Sequence, residues 1–219
     1  MKTYPVPYAP AGSPFVHAVP MVISDYHPLG TAGYAPVVKA MLAWDEQGLH
    51  VRMTAYESAV RATRTADNSD VWRDSCMEFF FNLAPDKTKN YVNIEINALG
   101  AMLLGWGDNK TCRFQDFDKS AYQLQPSLRL SDPVPCWQLD YVIPFVDMER
   151  FFGSIKPGAG MTFLGNFYKC GDETGAPHFG SLTPTDPATP CAFHDDALFS
   201  QFVLQAPKPV VALDTGAQE

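Results

Sequence analysis

Two short segments of the sequence, 76–83 and 91–97, each alternate between an apolar face and a mostly polar face. The mostly polar faces carry Cys76, Glu78, Phe80 and Asn82 in the first segment and Tyr91, Asn93, Glu95 and Asn97 in the second. Such alternation is typical of β-strands that have one buried face and one polar face. The turn signal from Pro85 to Asn90 predicts that the two strands form a hairpin, so that their polar faces combine. The combined face would present two carboxylates, three carboxamides and one tyrosine, which come from Glu78, Glu95, Asn82, Asn93, Asn97 and Tyr91.

This set of side chains is suited to recognising sugars. Carboxylates and carboxamides form hydrogen bonds with hydroxyl groups, and an aromatic ring can stack on the C–H face of a pyranose. Trp72 lies in a polar stretch just before the first strand and would stand at the entrance of the patch. We therefore expect Trp72 to be the stacking platform and Glu78 and Asn93 to orient hydroxyl groups. Three further candidates from the same or other predicted strands are Glu95, Asn166 and Arg52.

Each of these residues also has a structural interpretation. Trp72 could pack against the edge of the domain, and Glu78 could form a buried ion pair with Arg52 or Arg73. The polar face that contains Arg52 could simply be solvated, since antiparallel sheets commonly have one such face.

An enzyme is the main functional alternative. Glu78 and Glu95 fall on the same face of neighbouring predicted strands, and glycoside hydrolases use two carboxyl groups about 5–10 Å apart. The sequence shows no evident device that would raise the pKa of one glutamate, and no GxSxG motif is present. A third alternative is a structural or partner-binding domain whose sugar site has decayed.

The spacing of the cysteines and acidic residues indicates which metal sites the chain could contain. The five cysteines lack CxxC spacing, which excludes zinc-ribbon and thioredoxin motifs. Hard oxygen donors cluster at 67–70, at Asp74 and at 194–196, and calcium is the structural ion that they would suit. No metal ligand is assigned from the sequence, and no other cofactor is expected.

Composition favours one globular domain. The 219 residues are 46% hydrophobic and include 15 phenylalanines, which is enough for a full core. The formal net charge of −8 argues against nucleic acid or an anionic membrane surface as a partner. We see neither a leader nor an apolar stretch of spanning length, so we expect a secreted or periplasmic protein if a leader has been removed and a cytoplasmic one otherwise. The oligomeric state stays open.

The predicted elements are mostly strands. Gly and Pro separate the candidate strands, and a short helix is predicted within 147–152. We expect an extended, proline-rich arm over 1–14, one antiparallel, jelly-roll-like β-sandwich over 15–206 and a frayed tail over 207–219. The candidate strands lie at about 15–24, 37–44, 48–57, 75–83, 90–97, 100–106, 120–129, 136–143, 160–169 and 200–206.

An ordered set of segments resembles the family-nine carbohydrate-binding modules and the wider DOMON-like group. The set covers about Phe15 to Leu204 and comprises WD followed by GLHVRMTAYES, DVWRDSCMEFFFN, YVNIEINALGAML, FLGNFYKC and AFHDDALFSQFVL. The resemblance implies a β-sandwich that binds an oligosaccharide or polysaccharide without cleaving it. It also implies an aromatic residue and a glutamate six residues later in the site, which are Trp72 and Glu78 here.

One departure from the family pattern concerns a late loop, GAPHFGSLTPTDP. Sugar-binding relatives usually supply a second aromatic residue from this loop, and Leu182 stands where tryptophan is expected. Phe179 or His178 could substitute. We expect Leu182 to lie at the rim of the site, facing Trp72, and the missing ring to weaken binding about tenfold or more.

Overall fold

The fold is taken from a computed structural model that describes residues 1–57, 59–108, 113–184 and 193–208. These ranges contain the helix α1 (Phe145–Phe152), and short 3₁₀ turns at Val71–Arg73, Lys119–Tyr122 and Asp196–Leu198. The strands are β1 (Thr3–Val6), β2 (Met21–Ile23), β3 (Asp25–Tyr26), β4 (Val37–Trp44), β5 (Gly48–Tyr56), β6 (Cys76–Asn82), β7 (Tyr91–Asn97), β8 (Met102–Gly107), β9 (Arg113–Phe114), β10 (Gln125–Arg129), β11 (Cys136–Pro144), β12 (Thr162–Cys170), β13 (Phe179–Ser181) and β14 (Ser200–Leu204).

The strands form two sheets that pack face to face. In the larger sheet the order is β1-β14-β12-β6-β7-β8-β9, with β13 and β3 attached beside β12. In the smaller sheet the order is β10-β11-β5-β4-β2. Neighbouring strands run antiparallel except β1, which pairs with β14 in parallel. The expected all-β sandwich is therefore confirmed.

The core lies between the sheets and follows the alternation read from the sequence. Phe79 and Phe81 of β6 and Ile94 of β7 point inward and are fully buried. The smaller sheet contributes Val51, Met53, Leu139 and Ile143 to the same apolar cluster. Trp44 and Trp137 belong to this core as well, with at most 3% of either side chain exposed.

Differences from the predicted elements are confined to the periphery. The candidate strand 15–24 is shorter, since only Met21–Ile23 is extended, and the stretch 120–129 divides into a 3₁₀ turn and β10. Within the arm expected over 1–14, Thr3–Val6 forms the edge strand β1 of the larger sheet with Val6 fully buried, and a turn follows at Ala11–Gly12. The very short strands β9 and β13 have too few residues to show a period. The predicted tail beyond 208 lies outside the described residues.

No helix in the described part of the chain has the length and apolar character needed to cross a membrane.

A buried ion pair joins the two sheets at one end of the sandwich. The Lys169 Nζ of β12 lies 2.9 Å from the Glu57 carboxylate, which follows β5, and neither side chain is exposed. Glu57 also accepts hydrogen bonds from Trp137 Nε1 and Ser75 Oγ, at 3.0 and 2.8 Å. Burial alone would raise the pKa of Glu57, but the Lys169 charge and these hydrogen bonds outweigh it, so the pKa is lowered.

We expect Lys169→Met to lower the free energy of unfolding by about 3–5 kcal/mol, because it leaves the Glu57 charge buried without a partner. The double variant Lys169→Met/Glu57→Gln should recover part of that loss, since a neutral carboxamide needs no counter-charge. Urea unfolding monitored by tryptophan fluorescence measures both. Equal stability of Lys169→Met and the parent protein would contradict the role given to this pair.

Candidate functional site

A pocket of about 300 Å³ opens on the outer face of the larger sheet, the face that does not pack on the smaller sheet. This volume lies at the lower end of the range for small-molecule sites, about 300–1,000 Å³. The residues that line the pocket are Trp72, Glu78, Asn93, Glu95, Phe114, Cys170, Asp172, Phe179, Phe193 and His194.

The hairpin that the sequence predicted is formed by β6 and β7, and it makes the floor of the pocket. Glu78 lies directly opposite Glu95, and Phe80 lies opposite Asn93. Every residue of both strands is buried, on the outer face as well as the inner one. The polar face is therefore covered by other parts of the chain and is reached through the pocket.

The turn Val71–Arg73 holds Trp72 at one wall of the pocket. Val71 is fully buried beneath the turn, while the Trp72 side chain is half-buried. Backbone hydrogen bonds from Asp172 N to Trp72 O (3.3 Å) and from Glu173 N to Arg73 O (2.9 Å) tie the turn to the segment after β12. The position of Trp72 thus depends on a contact across 100 residues of sequence.

Asp74 anchors the same turn to the floor. Its carboxylate is fully buried, and it accepts hydrogen bonds from Thr63 N and Arg64 N at 2.9 Å each and from the Asn97 amide at 3.1 Å. The Arg61 guanidinium also contacts it. Burial alone would raise the pKa of Asp74, but the hydrogen bonds that its carboxylate accepts favour the charged form and outweigh burial, so the pKa is lowered.

The polar groups on the floor make few hydrogen bonds to one another. The Cys170 thiol donates to Glu78 Oε1 (2.7 Å), and Asn93 Nδ2 donates to Glu95 Oε1 (2.8 Å). The Asn93 Oδ1 atom is buried and has no hydrogen-bond partner. A buried carboxamide oxygen without a donor is costly, and here it lies in a side chain that lines a pocket.

Gly105 of β8 makes room for the Asn93 side chain. The two residues are paired across β7 and β8, and a Cβ atom on Gly105 would lie 2.9 Å from both Asn93 Cγ and Asn93 Nδ2 and would clash with Oδ1. A side chain at position 105 would therefore push the carboxamide out of place.

Distant parts of the chain supply the remaining walls. Phe114 lies on the edge strand β9, Phe179 begins β13, and Phe193 and His194 precede a 3₁₀ turn. Phe193 stacks on Tyr168 with a centroid separation of 4.3 Å, and the Tyr91 hydroxyl is 2.8 Å from His194 Nδ1. Apart from Phe179, sequence reasoning did not select these residues as ligand contacts, because they lie in short irregular segments without a period.

Two predicted site residues do not reach the pocket. Arg52 belongs to the smaller sheet, where it forms a bidentate ion pair with Asp140 at 2.7 Å and lies 4.6 Å above the Phe15 ring. Asn166 is on the outer face of the larger sheet, opposite Phe80, but it is fully buried and its Oδ1 accepts from Thr183 N. Period-two alternation defines the face of a strand and not the sheet to which it belongs, so the grouping of Arg52 with the others was wrong.

The expectation for Leu182 was also wrong. Leu182 is 5% exposed and packs in the main core, away from the pocket. The residue of the same loop that does line the pocket is Phe179, one of the two substitutes considered. The other, His178, is buried, and its Nε2 contacts Lys169 Nζ. A second aromatic wall is thus present, three residues before the expected position.

Burial shapes the electrostatics of the floor. Burial, and then the neighbouring Glu95, raise the pKa of Glu78 well above its usual range. The pKa of Glu95 is raised to about 7, chiefly by burial, and burial likewise raises the pKa of Asp172 and Cys170. The enclosed floor is the pKa-raising device that the sequence did not reveal.

The described residues contain one group of side chains with the spacing of metal ligands. The Cys76 and Cys170 thiols and the Glu78 carboxylate lie within 4.8 Å of one another, all buried. The acidic residues considered for calcium have protein partners instead: Asp67 contacts Lys119, Asp70 contacts Arg73, and Asp195 caps the turn Asp196–Leu198. A structural calcium stays a prediction.

The fold and the pocket define a β-sandwich that carries a ligand pocket on the outer face of one sheet. The lining of this pocket combines aromatic and polar side chains. The chain belongs to carbohydrate-binding family 9, whose sequence profile matches residues 23–204. This confirms the resemblance seen in the sequence. No curated protein matches the chain.

Solved structures agree with the family assignment. A candidate carbohydrate-binding protein from Bacteroides uniformis is 26% identical, with a TM-score of 0.75 over 93% of this chain and 99% of the other. A family 9 module from Caldicellulosiruptor kristjanssonii in complex with cellotriose is 15% identical, with a TM-score of 0.66 over 97% and 98% of the two chains. The same organism's family 9 module in complex with glucose has the same identity and TM-score, over 94% and 97%.

The raised pKa of Glu95 predicts a pH dependence of stability. Between pH of about 4.5 and 7 the folded protein binds more protons at Glu95 than the unfolded chain does, so stability should fall as the pH rises through this window. Glu95→Gln should flatten the decline and raise the melting temperature at pH 8, by about 2–4 °C for each kcal/mol recovered. Thermal melts from pH 4 to 8 measure the slope, with exposed Glu46→Gln as control. Identical slopes in the parent and Glu95→Gln would refute the assignment.

Proposed function

We propose that this family 9 domain binds a carbohydrate in the pocket on its larger sheet, without cleaving it. The observation that supports the proposal most strongly is the meeting of Trp72, Glu78, Asn93 and Glu95 in one pocket. The first two are the aromatic residue and the glutamate that the family resemblance assigned to the ligand. Structural neighbours of the same family were solved with cellotriose and with glucose.

Trp72 acts as the stacking platform in this proposal, and Phe179 acts as a second apolar wall. Both rings are half-buried, so each is supported from behind and still presents a surface to the pocket. Aromatic faces contact the C–H groups of a sugar ring, while the buried polar floor contacts its hydroxyl groups. The unpaired Asn93 Oδ1 is an acceptor that a hydroxyl group would satisfy.

The arrangement of Glu78 and Glu95 favours binding over hydrolysis. A glycoside hydrolase places its two carboxyl groups on either side of the scissile bond. Glu78 and Glu95 are cross-strand neighbours in one sheet, so both approach a ligand from below. Burial raises the pKa of both, whereas hydrolysis requires one of the pair to remain charged while the other is protonated.

Removing the platform tests the proposal. We expect Trp72→Ala to abolish detectable binding of the best ligand from a glycan array while lowering the melting temperature by only a few degrees, because the ring is half-exposed. Isothermal titration calorimetry measures the first effect and differential scanning calorimetry the second. Trp106→Ala is the matched control: Trp106 packs on Phe151 and Phe152 outside the pocket, so its loss should reduce stability and leave binding intact.

Two results would contradict the proposal. Unchanged affinity in folded Trp72→Ala would show that sugar binds elsewhere. Release of reducing ends from a bound oligosaccharide, lost in both Glu78→Gln and Glu95→Gln, would show that the domain is a hydrolase.

Gly105→Ala tests the floor without touching a ligand-contacting residue. The new methyl group would overlap the Asn93 carboxamide, so we expect affinity to fall about tenfold or more, with a stability loss of about 1–3 kcal/mol from overpacking. Calorimetric titration and urea unfolding separate the two effects. A matched control is Gly158→Ala, where a Cβ atom meets nothing within 4 Å. Parent-like affinity in Gly105→Ala would show that the Asn93 position does not matter for binding.

A further inference from the structure

The pocket is acidic and aromatic at the same time. Among the described residues, its lining contains the carboxyl groups of Glu78, Glu95 and Asp172 and no lysine or arginine. Glu78 and Glu95 are 2% and 5% exposed, so water screens little of their charge. Two ionised carboxylates at adjacent, enclosed positions are unfavourable unless a cation lies near them.

Nearby protein cations are committed to other partners. Lys169 is on the opposite face of β12 from Cys170, and it pairs with Glu57 inside the core. Arg73 beside Trp72 forms ion pairs with Glu173 and Asp70 at the surface. Within the described structure, no lysine or arginine lines the floor, and the pKa values of Glu78 and Glu95 are raised by burial; a cationic ligand would supply the charge that favours their ionised forms.

The hydrogen-bonding groups on the floor also favour a donor-rich ligand. Glu78 and Glu95 in their charged forms only accept hydrogen bonds, and the Asn93 Oδ1 atom beside them is an acceptor that no protein group satisfies. Asn93 is 2% exposed, so bulk water does not compensate for the missing donor. An ammonium group has three N–H donors and no acceptor, which matches this set better than a hydroxyl group does.

The aromatic walls of the pocket also favour a cationic ligand. Trp72, Phe114, Phe179 and Phe193 all line the pocket, and the negative faces of aromatic rings attract a cation within about 6 Å. Carboxylates together with aromatic rings around a cavity are a combination that recognises amines.

From these observations we propose that the ligand is an amino sugar with a free ammonium group, held by Glu78, Glu95 and the Asn93 oxygen. This inference rests on the proposed function, because it keeps a sugar ring stacked on Trp72 and adds the charge of its substituent. N-acetylation would remove the positive charge and replace two donors with an acceptor, so the site discriminates against acetylated residues.

Calorimetric titrations of the unmodified protein at low and physiological salt test this inference with three trimers: β-1,4-linked glucosamine, its N-acetylated form, and cellotriose. We expect the glucosamine trimer to bind at least about tenfold more tightly than either neutral trimer, since charge-assisted hydrogen bonds are the stronger ones. Added salt should weaken its binding and leave that of cellotriose nearly unchanged. In Glu95→Gln the preference should shrink, while the exposed Glu46→Gln should keep it.

The other outcomes refute the inference in distinguishable ways. If cellotriose binds as tightly as the glucosamine trimer, the amino-sugar inference fails and the proposed function stands. If no sugar on a broader glycan array binds the folded protein either, both fail. If Zn²⁺ tightens cellotriose binding, and a chelator or Cys170→Ala reverses the effect, then the missing cation is a metal ion at the Cys76, Glu78 and Cys170 group, and the amino sugar is excluded.

Discussion

The buried ion pair between Lys169 and Glu57 is the interaction on which the site end of the sandwich depends. Glu57 follows a strand of the smaller sheet and Lys169 belongs to the larger one, so the pair joins the sheets where the pocket lies. Ser75 and His178 contact the same pair just before β6 and β13 begin. Since a charge inside the core is tolerated only in this geometry, the strand ends that carry Glu78, Cys170 and Phe179 are held in fixed relative positions.

The alternation of side chains lets one strand serve both the core and the pocket. Lys169 points into the core, while its neighbour Cys170 points into the pocket and donates to Glu78. His178 shows how closely the two sides are coupled: burial, and then the Lys169 charge, lower its pKa to about 4, so it stays neutral and can accept from Lys169. The loop that bears Phe179 is fixed through this contact.

The pocket combines a locally encoded floor with walls from elsewhere in the chain. The floor needs only the β6–β7 register, which places Glu78 opposite Glu95. The walls need the backbone bonds between 72–73 and 172–173 and the stacking of Phe193 on Tyr168. These walls enclose the floor, and that enclosure raises the carboxyl pKa values and leaves Asn93 Oδ1 without a partner.

By itself the sequence determined the sandwich, its longer strands and the shared face of Glu78, Asn93 and Glu95, because period-two alternation and turn residues are local properties of the chain. The polar stretch before the first strand indicated Trp72 as well, and the family resemblance assigned the same residue to the site. Only the tertiary structure decided which sheet each polar face joins, and so it separated Arg52 from the site. The tertiary structure also placed Phe179, and not Leu182, in the pocket. It buried the polar face of β6 and β7, which alternation alone would leave in solvent. Contacts between residues far apart in sequence leave no local period from which they could be predicted.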